Sequence, residues 1–155
     1  FDDLIINGNA IMTSSVVTKK EVLINTNLFN ESEIYRGWED YELWLKIAKN
    51  DYCFKRLNSF LGYYHVGDDN FDNPNQALKN ISLIDRHVIK KLDKRYSNIW
   101  WLNYARGRIY SNMGKYKDSN FYLKNTMKKS NIPFIIYLKI CYTLVLNFLK
   151  SNKFI

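Results

Sequence analysis

Two adjacent carboxylates, Glu39 and Asp40, are the residues of this sequence best placed to do acid–base chemistry. They follow Trp38 and precede residues 41–49, whose apolar side chains recur at the three- and four-residue spacing of an amphipathic helix. Unpaired backbone N–H groups favour carboxylates at a helix N-terminus, so both acids have a purely structural interpretation. The functional alternative places the pair at the mouth of a cleft, with Trp38 as a flat platform beside it.

Two stretches carry a resemblance to a known family. Residues 37–45, GWEDYELWL, resemble the ED-x-x-L-W-L signature near the end of the catalytic domain of family 2 glycosyltransferases. Residues 9–17, NAIMTSSVV, are similar to a strand of the same enzymes. The sequence departs from the family where Asn27 replaces a usual glycine and Asn30 a usual aspartate. Because asparagine tolerates left-handed backbone angles, we expect the turn at Asn27 to be preserved.

The resemblance implies an enzyme with a GT-A fold. Such an enzyme transfers a sugar, with inversion, from a nucleotide-sugar donor to a glycan or glycolipid acceptor, here in surface polysaccharide or glycolipid biosynthesis. Asp40 would be the general base that deprotonates the acceptor hydroxyl. Trp38 would stack on the acceptor sugar and Glu39 would accept hydrogen bonds from its hydroxyls, while His65 would contact the donor diphosphate.

The resemblance also implies a cofactor. A divalent metal, Mg²⁺ or Mn²⁺, would neutralise the leaving diphosphate. No Asp-x-Asp sequence occurs here, so the metal would be held mainly by residues outside this chain and none of its ligands is assigned within it. The chain is therefore expected to be a fragment that lacks the nucleotide-binding half and is inactive alone.

His65 has a structural alternative as well. A single histidine at the end of a strand is most often a hydrogen-bonded structural residue, and the loop pair Asp68 and Asp69 is too small a ligand set for a dedicated cation site. The register against the family's Y-R-x-H segment stays open. Either Tyr64 aligns with its tyrosine or His65 with its histidine, and each alignment lacks one phosphate contact.

Composition and charge predict a folded chain with two unlike regions. The 155 residues are 46% hydrophobic and 16% aromatic, which excludes a disordered protein. Residues 1–75 hold 7 Lys/Arg and 12 Asp/Glu, a net −5, whereas residues 76–155 hold 16 and 3, a net +13. We therefore predict an α/β fragment over residues 1–75, with strands at 10–18 and 52–57, followed by a basic all-α helical bundle over residues 76–155.

The basic region reads as four helices, at residues 77–95, 99–113, 117–129 and 133–149. The second and third resemble a single tetratricopeptide unit, in which small residues allow two antiparallel helices to pack closely. The fourth is apolar nearly all round, but Lys139 interrupts it, and a bilayer span needs about 20 apolar residues. Whether this helix is buried, interfacial or bound to a partner stays open.

The alternative function is a helical interaction module that docks on a partner protein or on an anionic membrane. Nucleic-acid binding is not expected, because the lysines are spread over several helices and no recognised reading motif is present. The start at Phe1 shows no signal peptide, and Cys53 and Cys141 match no disulfide or zinc spacing. These features predict a cytoplasmic protein, with possible peripheral contact at the inner face of the plasma membrane.

Overall fold

The computed structural model describes residues 1–63, 73–96 and 99–152, and these ranges form α-helices, short 3₁₀ turns and loops. The α-helices in chain order are α1 (Asp2–Asn7), α2 (Lys20–Asn25), α3 (Glu39–Lys49), α4 (Pro74–His87), α5 (Trp101–Asn112), α6 (Tyr116–Met127) and α7 (Phe134–Ser151). The 3₁₀ turns are Thr13–Ser15, Glu33–Tyr35, Ile89–Lys91 and Lys94–Tyr96. The architecture of the described ranges is therefore all-α.

The predicted α/β fragment over residues 1–75 is wrong, because the described part of the chain contains no β-strand. Met12 and Val16 do have extended backbone angles, but the 3₁₀ turn Thr13–Ser15 separates them. Residues 52–57 form a loop. A strand exists only where a neighbouring strand pairs with its backbone N–H and C=O groups. Residue types that favour strands were therefore not enough to form a sheet among the described residues.

Helix α3 lies at the centre of the hydrophobic core. The helix buries four of the five residues that the periodicity singles out, Tyr41, Trp44, Leu45 and Ile47, and Ala48 is half-buried. It also buries Leu43, which lies off that stripe, so α3 is covered on more than one side. Carboxylates occupy its first turn and lysines its last, an order that complements the helix dipole.

The hydrophobic core continues across the predicted domain boundary at residue 75. The Tyr41 hydroxyl of α3 donates to the Leu4 carbonyl of α1 at 2.8 Å, and the Trp101 indole of α5 donates to the Ile5 carbonyl at 2.9 Å. Ile81 of α4 is buried in the same cluster. Residues 1–75 and the first part of the basic region thus share one core, and the division into two domains stays a prediction.

Helix α4 begins three residues earlier than its predicted start and ends well before residue 95. The Asn73 side chain caps it by accepting hydrogen bonds from the N–H groups of Asn75 and Gln76, and Pro74 occupies the first helical position. Helices α5, α6 and α7 lie within about two residues of their predicted bounds.

Helices α5 and α6 form a tightly packed hairpin on which α7 docks. Gly107 faces Leu123 so closely that a Cβ on the glycine would lie 2.7 Å from the leucine side chain. The Ser119 hydroxyl donates to the Gly107 carbonyl at 2.8 Å. On the other side of Ser119, the fully buried Asn147 of α7 donates to its hydroxyl at 2.8 Å.

Candidate functional site

A wide cleft of about 620 Å³ opens beside the N-terminus of α3. The first helical turn of α3, the loop that precedes it and the 3₁₀ turn near Thr13 form its walls. We call it the acidic cleft, and its lining residues are Thr13, Phe29, Asn30, Glu31, Ser32, Glu33, Arg36, Gly37, Glu39 and Asp40.

Asp40 is half-buried in the wall of this cleft. Its Oδ1 atom accepts the N–H of Tyr41 at 2.6 Å, and its Oδ2 atom accepts the hydroxyl of Thr13 at 2.7 Å. Thr13 also lines the cleft, so the carboxylate engages a hydroxyl group at the cleft surface. The structure therefore brings together one of the predicted site residues and a hydroxyl partner that lies 27 positions earlier in the chain.

Glu39 has a local structural role. Its carboxylate accepts the backbone N–H of Gly37, and this contact closes the turn that leads into α3. Gly37 has a left-handed backbone (φ 85°), and its carbonyl accepts the Asn80 side chain at 3.2 Å. One Glu39 oxygen is therefore occupied by the chain itself, although the side chain still lines the cleft.

Trp38 is not the exposed platform that the sequence suggests. Only 2% of the residue is exposed, and its indole N–H donates to the Ile34 carbonyl at 2.8 Å. The centre of its ring lies 4.7 Å from the centre of the Tyr35 ring. Its faces are covered by protein, so a sugar cannot stack on them in this structure. Phe29, which is partly exposed, is the aromatic residue in the cleft wall.

The cleft also contains residues that the sequence did not single out, namely Thr13, Phe29 and Arg36. Thr13 was predicted to lie in a strand. Phe29 could have been noticed as an aromatic residue within a polar loop. Neither residue is near Asp40 in the sequence, so only the fold reveals that they share its surroundings.

The electrostatic character of the cleft is negative. Four carboxylates line it, and among the lining residues Arg36 alone is cationic. Arg36 lies 3.6 Å from Glu33 in an exposed ion pair. A diphosphate would be repelled by this surface, whereas neutral hydroxyl groups find many hydrogen-bond acceptors.

No metal site is evident in the part of the chain that the structure describes, since no three His, Cys, Asp or Glu side chains there are grouped to hold an ion. His65, proposed to contact the donor diphosphate, lies outside the described residues, as do Asp68 and Asp69. The predicted donor contact is thus not examined by this structure.

A second cavity, of about 340 Å³, lies where α4 and α5 meet the 3₁₀ turns. Lys90, Lys94 and Asp93 are among its lining residues, and Arg106 and Asp85 form an ion pair of 3.2 Å in its wall. Its charges are mixed and partly neutralised by that ion pair. It offers less acid–base chemistry than the acidic cleft.

Comparison with models of protein families, with curated proteins and with solved structures finds no match to this chain. The resemblance to family 2 glycosyltransferases therefore rests on short stretches within about residues 1–72, chiefly residues 9–17 and 37–45. Because the described residues are helical and lack the strands of a GT-A fragment, the assignment to that family and fold is wrong. The tetratricopeptide likeness of α5 and α6 likewise has no family match behind it.

Proposed function

We propose that the acidic cleft binds a carbohydrate through its hydroxyl groups and that Asp40 activates one of them for glycosyl transfer. The observation that carries this proposal is the contact of 2.7 Å between the Asp40 carboxylate and the Thr13 hydroxyl at the cleft surface. A ligand hydroxyl that replaced Thr13 would meet the same oxygen atom in hydrogen-bonding geometry.

The size and charge of the cleft support a sugar ligand. A volume of about 620 Å³ lies within the range of small-molecule sites. Carboxylates accept hydrogen bonds from hydroxyl groups and need no charged partner on the ligand. Phe29 supplies an apolar surface in the same wall, on which the C–H face of a sugar ring can pack. A neutral glycan or glycolipid headgroup meets all three conditions.

The chemistry follows from the position of Asp40. Its carboxylate lies in the cleft wall, within hydrogen-bonding reach of a hydroxyl, and can accept a proton from a hydroxyl group bound there. As the acceptor oxygen attacks the anomeric carbon, its O–H bond breaks and the proton moves to Asp40. The new C–O bond forms while the nucleoside diphosphate departs with the electron pair of the old one.

The nucleotide-sugar donor would bind outside this cleft, whose carboxylates repel a diphosphate. The described residues show no group of three side chains that could hold Mg²⁺ or Mn²⁺, and the acidic cleft would serve the acceptor. The site would act only together with a donor site contributed by other residues.

The proposal is tested by replacing Asp40 with asparagine, which keeps the shape of the side chain and removes its basicity. Neutral mono- and disaccharides are screened against the protein by saturation-transfer NMR. Sugar transfer is then measured in the polypeptide that contains both this sequence and a donor site. We expect Asp40→Asn to retain binding within a fewfold and to lower transfer by about 100-fold or more.

Glu21→Gln is the matched control, because Glu21 is an exposed carboxylate of α2 that does not line the cleft. It should alter transfer by no more than about twofold. Unchanged transfer in Asp40→Asn would remove Asp40 from the base role, and the lack of any saccharide signal would remove the cleft as a carbohydrate site.

A further inference from the structure

Helix α7 packs inward through Ile140 and two polar residues, and most of its large apolar residues are exposed. Asn147 and Thr143 are buried against the rest of the protein. The opposite side of the helix carries large exposed apolar residues, and we call them the apolar face of α7. They are Phe134, Ile135, Tyr137, Leu138, Tyr142, Val145 and Phe148.

A hydrogen-bond network fixes this orientation. The Asn147 side chain donates to the Ser119 hydroxyl and to the Asn120 side chain of α6, each at 2.8 Å, and accepts the Ser111 hydroxyl of α5 at 2.6 Å. Asn147 is fully buried, so a rotation of α7 that hid the apolar face would expose polar groups that now pair with each other. The outward position of the apolar face is therefore specified by the fold.

Positive charge borders one edge of the apolar face. Residues 113–152 contain seven lysines and a single acidic residue, Asp118. Lys139 and Lys150 are both exposed and lie on α7 itself. Their separation of eleven residues is about three helical turns, which places them along one edge of the helix. An apolar surface bordered by lysines is the arrangement by which helices bind anionic lipid.

We infer that the apolar face of α7 lies on the surface of an anionic lipid membrane, with Lys139 and Lys150 at the level of the lipid phosphates. A second copy of the chain is a poorer occupant, because it would bring two lysine-rich surfaces together in a protein of net charge +8. Lipid phosphates instead supply the opposite charge.

The helix lies on the membrane rather than across it. Its length and composition are those of a helix that could cross a bilayer, and only 17% of it is buried. However, it packs on α6, whose Lys117, Asp118 and Lys124 are exposed. Enclosing α7 in hydrocarbon would draw these charges into the bilayer, at a cost of several kcal/mol.

The test is co-sedimentation of the whole protein with vesicles of phosphatidylcholine alone and with vesicles that contain phosphatidylglycerol, at low and high salt. We expect binding to the anionic vesicles that weakens with salt. The double substitution Leu138→Glu with Val145→Glu, on the apolar face, should lower binding by about tenfold or more.

Phe121→Glu is the matched control. Phe121 is 62% exposed, comparable to Val145 at 58%, but lies on the side of α6 opposite the buried Ser119 and Leu123. Its substitution should leave vesicle binding within about twofold of the wild type. Circular dichroism establishes that each variant keeps its helices, which is expected because every substituted residue is exposed.

Three results would overturn the inference. The first is the absence of sedimentation with anionic vesicles at low salt, and the second is equal binding by the double variant. The third is resistance to extraction at alkaline pH, which would show a spanning helix. Light scattering distinguishes a second copy as the occupant: a dimer that the double variant dissociates, without vesicle binding, contradicts the membrane assignment.

Discussion

Asp40 and Tyr41 are neighbours in the sequence with opposite surroundings. The carboxylate of Asp40 lines the acidic cleft, whereas the Tyr41 ring is buried against α1 and lies edge-on to Trp101, with ring centres 6.0 Å apart. A helix turns by about 100° per residue, so of two neighbouring residues one can face solvent while the other faces the core. The buried tyrosine thus anchors the turn that presents the candidate base.

Burial raises the pKa of the Tyr41 phenol above its ordinary value of 10.0. The folded protein holds this proton more tightly than the unfolded chain does. The stabilisation is therefore complete below pH 10 and is lost as the pH rises further, with a slope approaching about 1.4 kcal/mol per pH unit.

Tyr41→Phe should lower the free energy of unfolding by about 1 kcal/mol at pH 7, because it removes the hydrogen bond to the Leu4 carbonyl. This difference from the wild type should shrink above pH 10, where only the wild type loses stability through Tyr41. Denaturant titrations at neutral and alkaline pH measure both effects. Tyr142→Phe, at an exposed position, should show neither, and an unchanged difference at pH 11 would contradict the assignment.

The turn that follows α2 shows how far backbone conformation can be predicted from single residues. Asn27 was expected to tolerate a left-handed backbone, and its φ of 59° confirms this. The next residue, Leu28, is also left-handed at φ 51°, which its type does not suggest. The Leu28 N–H donates to the Leu23 carbonyl of α2 at 2.9 Å, and the Leu28 carbonyl accepts the Lys46 ammonium at 2.8 Å from a helix 18 positions away. Such distant support cannot be predicted from local residue preferences.

At the scale of the element, Gly107 sets the distance between α5 and α6. A Cβ at this position would lie 2.7 Å from the Leu123 side chain and 3.3 Å from its backbone nitrogen, and Leu123 is fully buried. The side chain has no free space into which it can withdraw.

Gly107→Ala should therefore lower the free energy of unfolding by about 1–3 kcal/mol. In an unhindered helix the same change would stabilise the protein by roughly 1 kcal/mol. Thermal denaturation followed by circular dichroism measures the effect. Asn112→Ala, at the exposed end of the same helix, is the control and should be neutral or slightly stabilising; equal stability of Gly107→Ala would show that the helices can separate freely.

Helices were predicted from the sequence more successfully than strands, for a physical reason. The hydrogen bonds of a helix such as α3 lie within the segment, so its periodic apolar residues are enough to indicate it. The hydrogen bonds of a strand lie on another segment, and residues 10–18 have no such partner among the described residues. Likewise, Glu39 and Asp40 could be identified from residues 37–45, but the contribution of Glu31 and Glu33 to the cleft and the contact of Asp40 with Thr13 could not.

At the scale of the whole molecule, α5 connects two packed groups of helices. Leu102 near its start is buried in the core that contains α1, α3 and α4, while Gly107 in its middle contacts α6. All four tryptophans are buried or partly buried within or beside the first group. Helices α6 and α7 belong to the second group.

Because both groups share α5, we expect the protein to unfold in one cooperative transition. Tryptophan fluorescence follows the first group, and far-ultraviolet circular dichroism follows all the helices. The two transitions should coincide in denaturant. Asn147→Ala should shift both to lower denaturant together, by about 1–3 kcal/mol. It leaves the half-buried Ser111 hydroxyl without its acceptor and removes one hydrogen bond to the buried Ser119 hydroxyl, which keeps its bond to the Gly107 carbonyl. Separate midpoints would show that α6 and α7 unfold independently.

The core that extends past residue 75 determines how the polypeptide can be divided. A piece that ended there would keep Tyr41 and Trp44 but lose Ile81, Ile84 and Leu102, against which the same cluster closes. Each half would then expose a hydrophobic surface that is complementary in shape to the other half. Severed halves produced in the same cell would consequently recombine into one particle, whereas either half made by itself would precipitate.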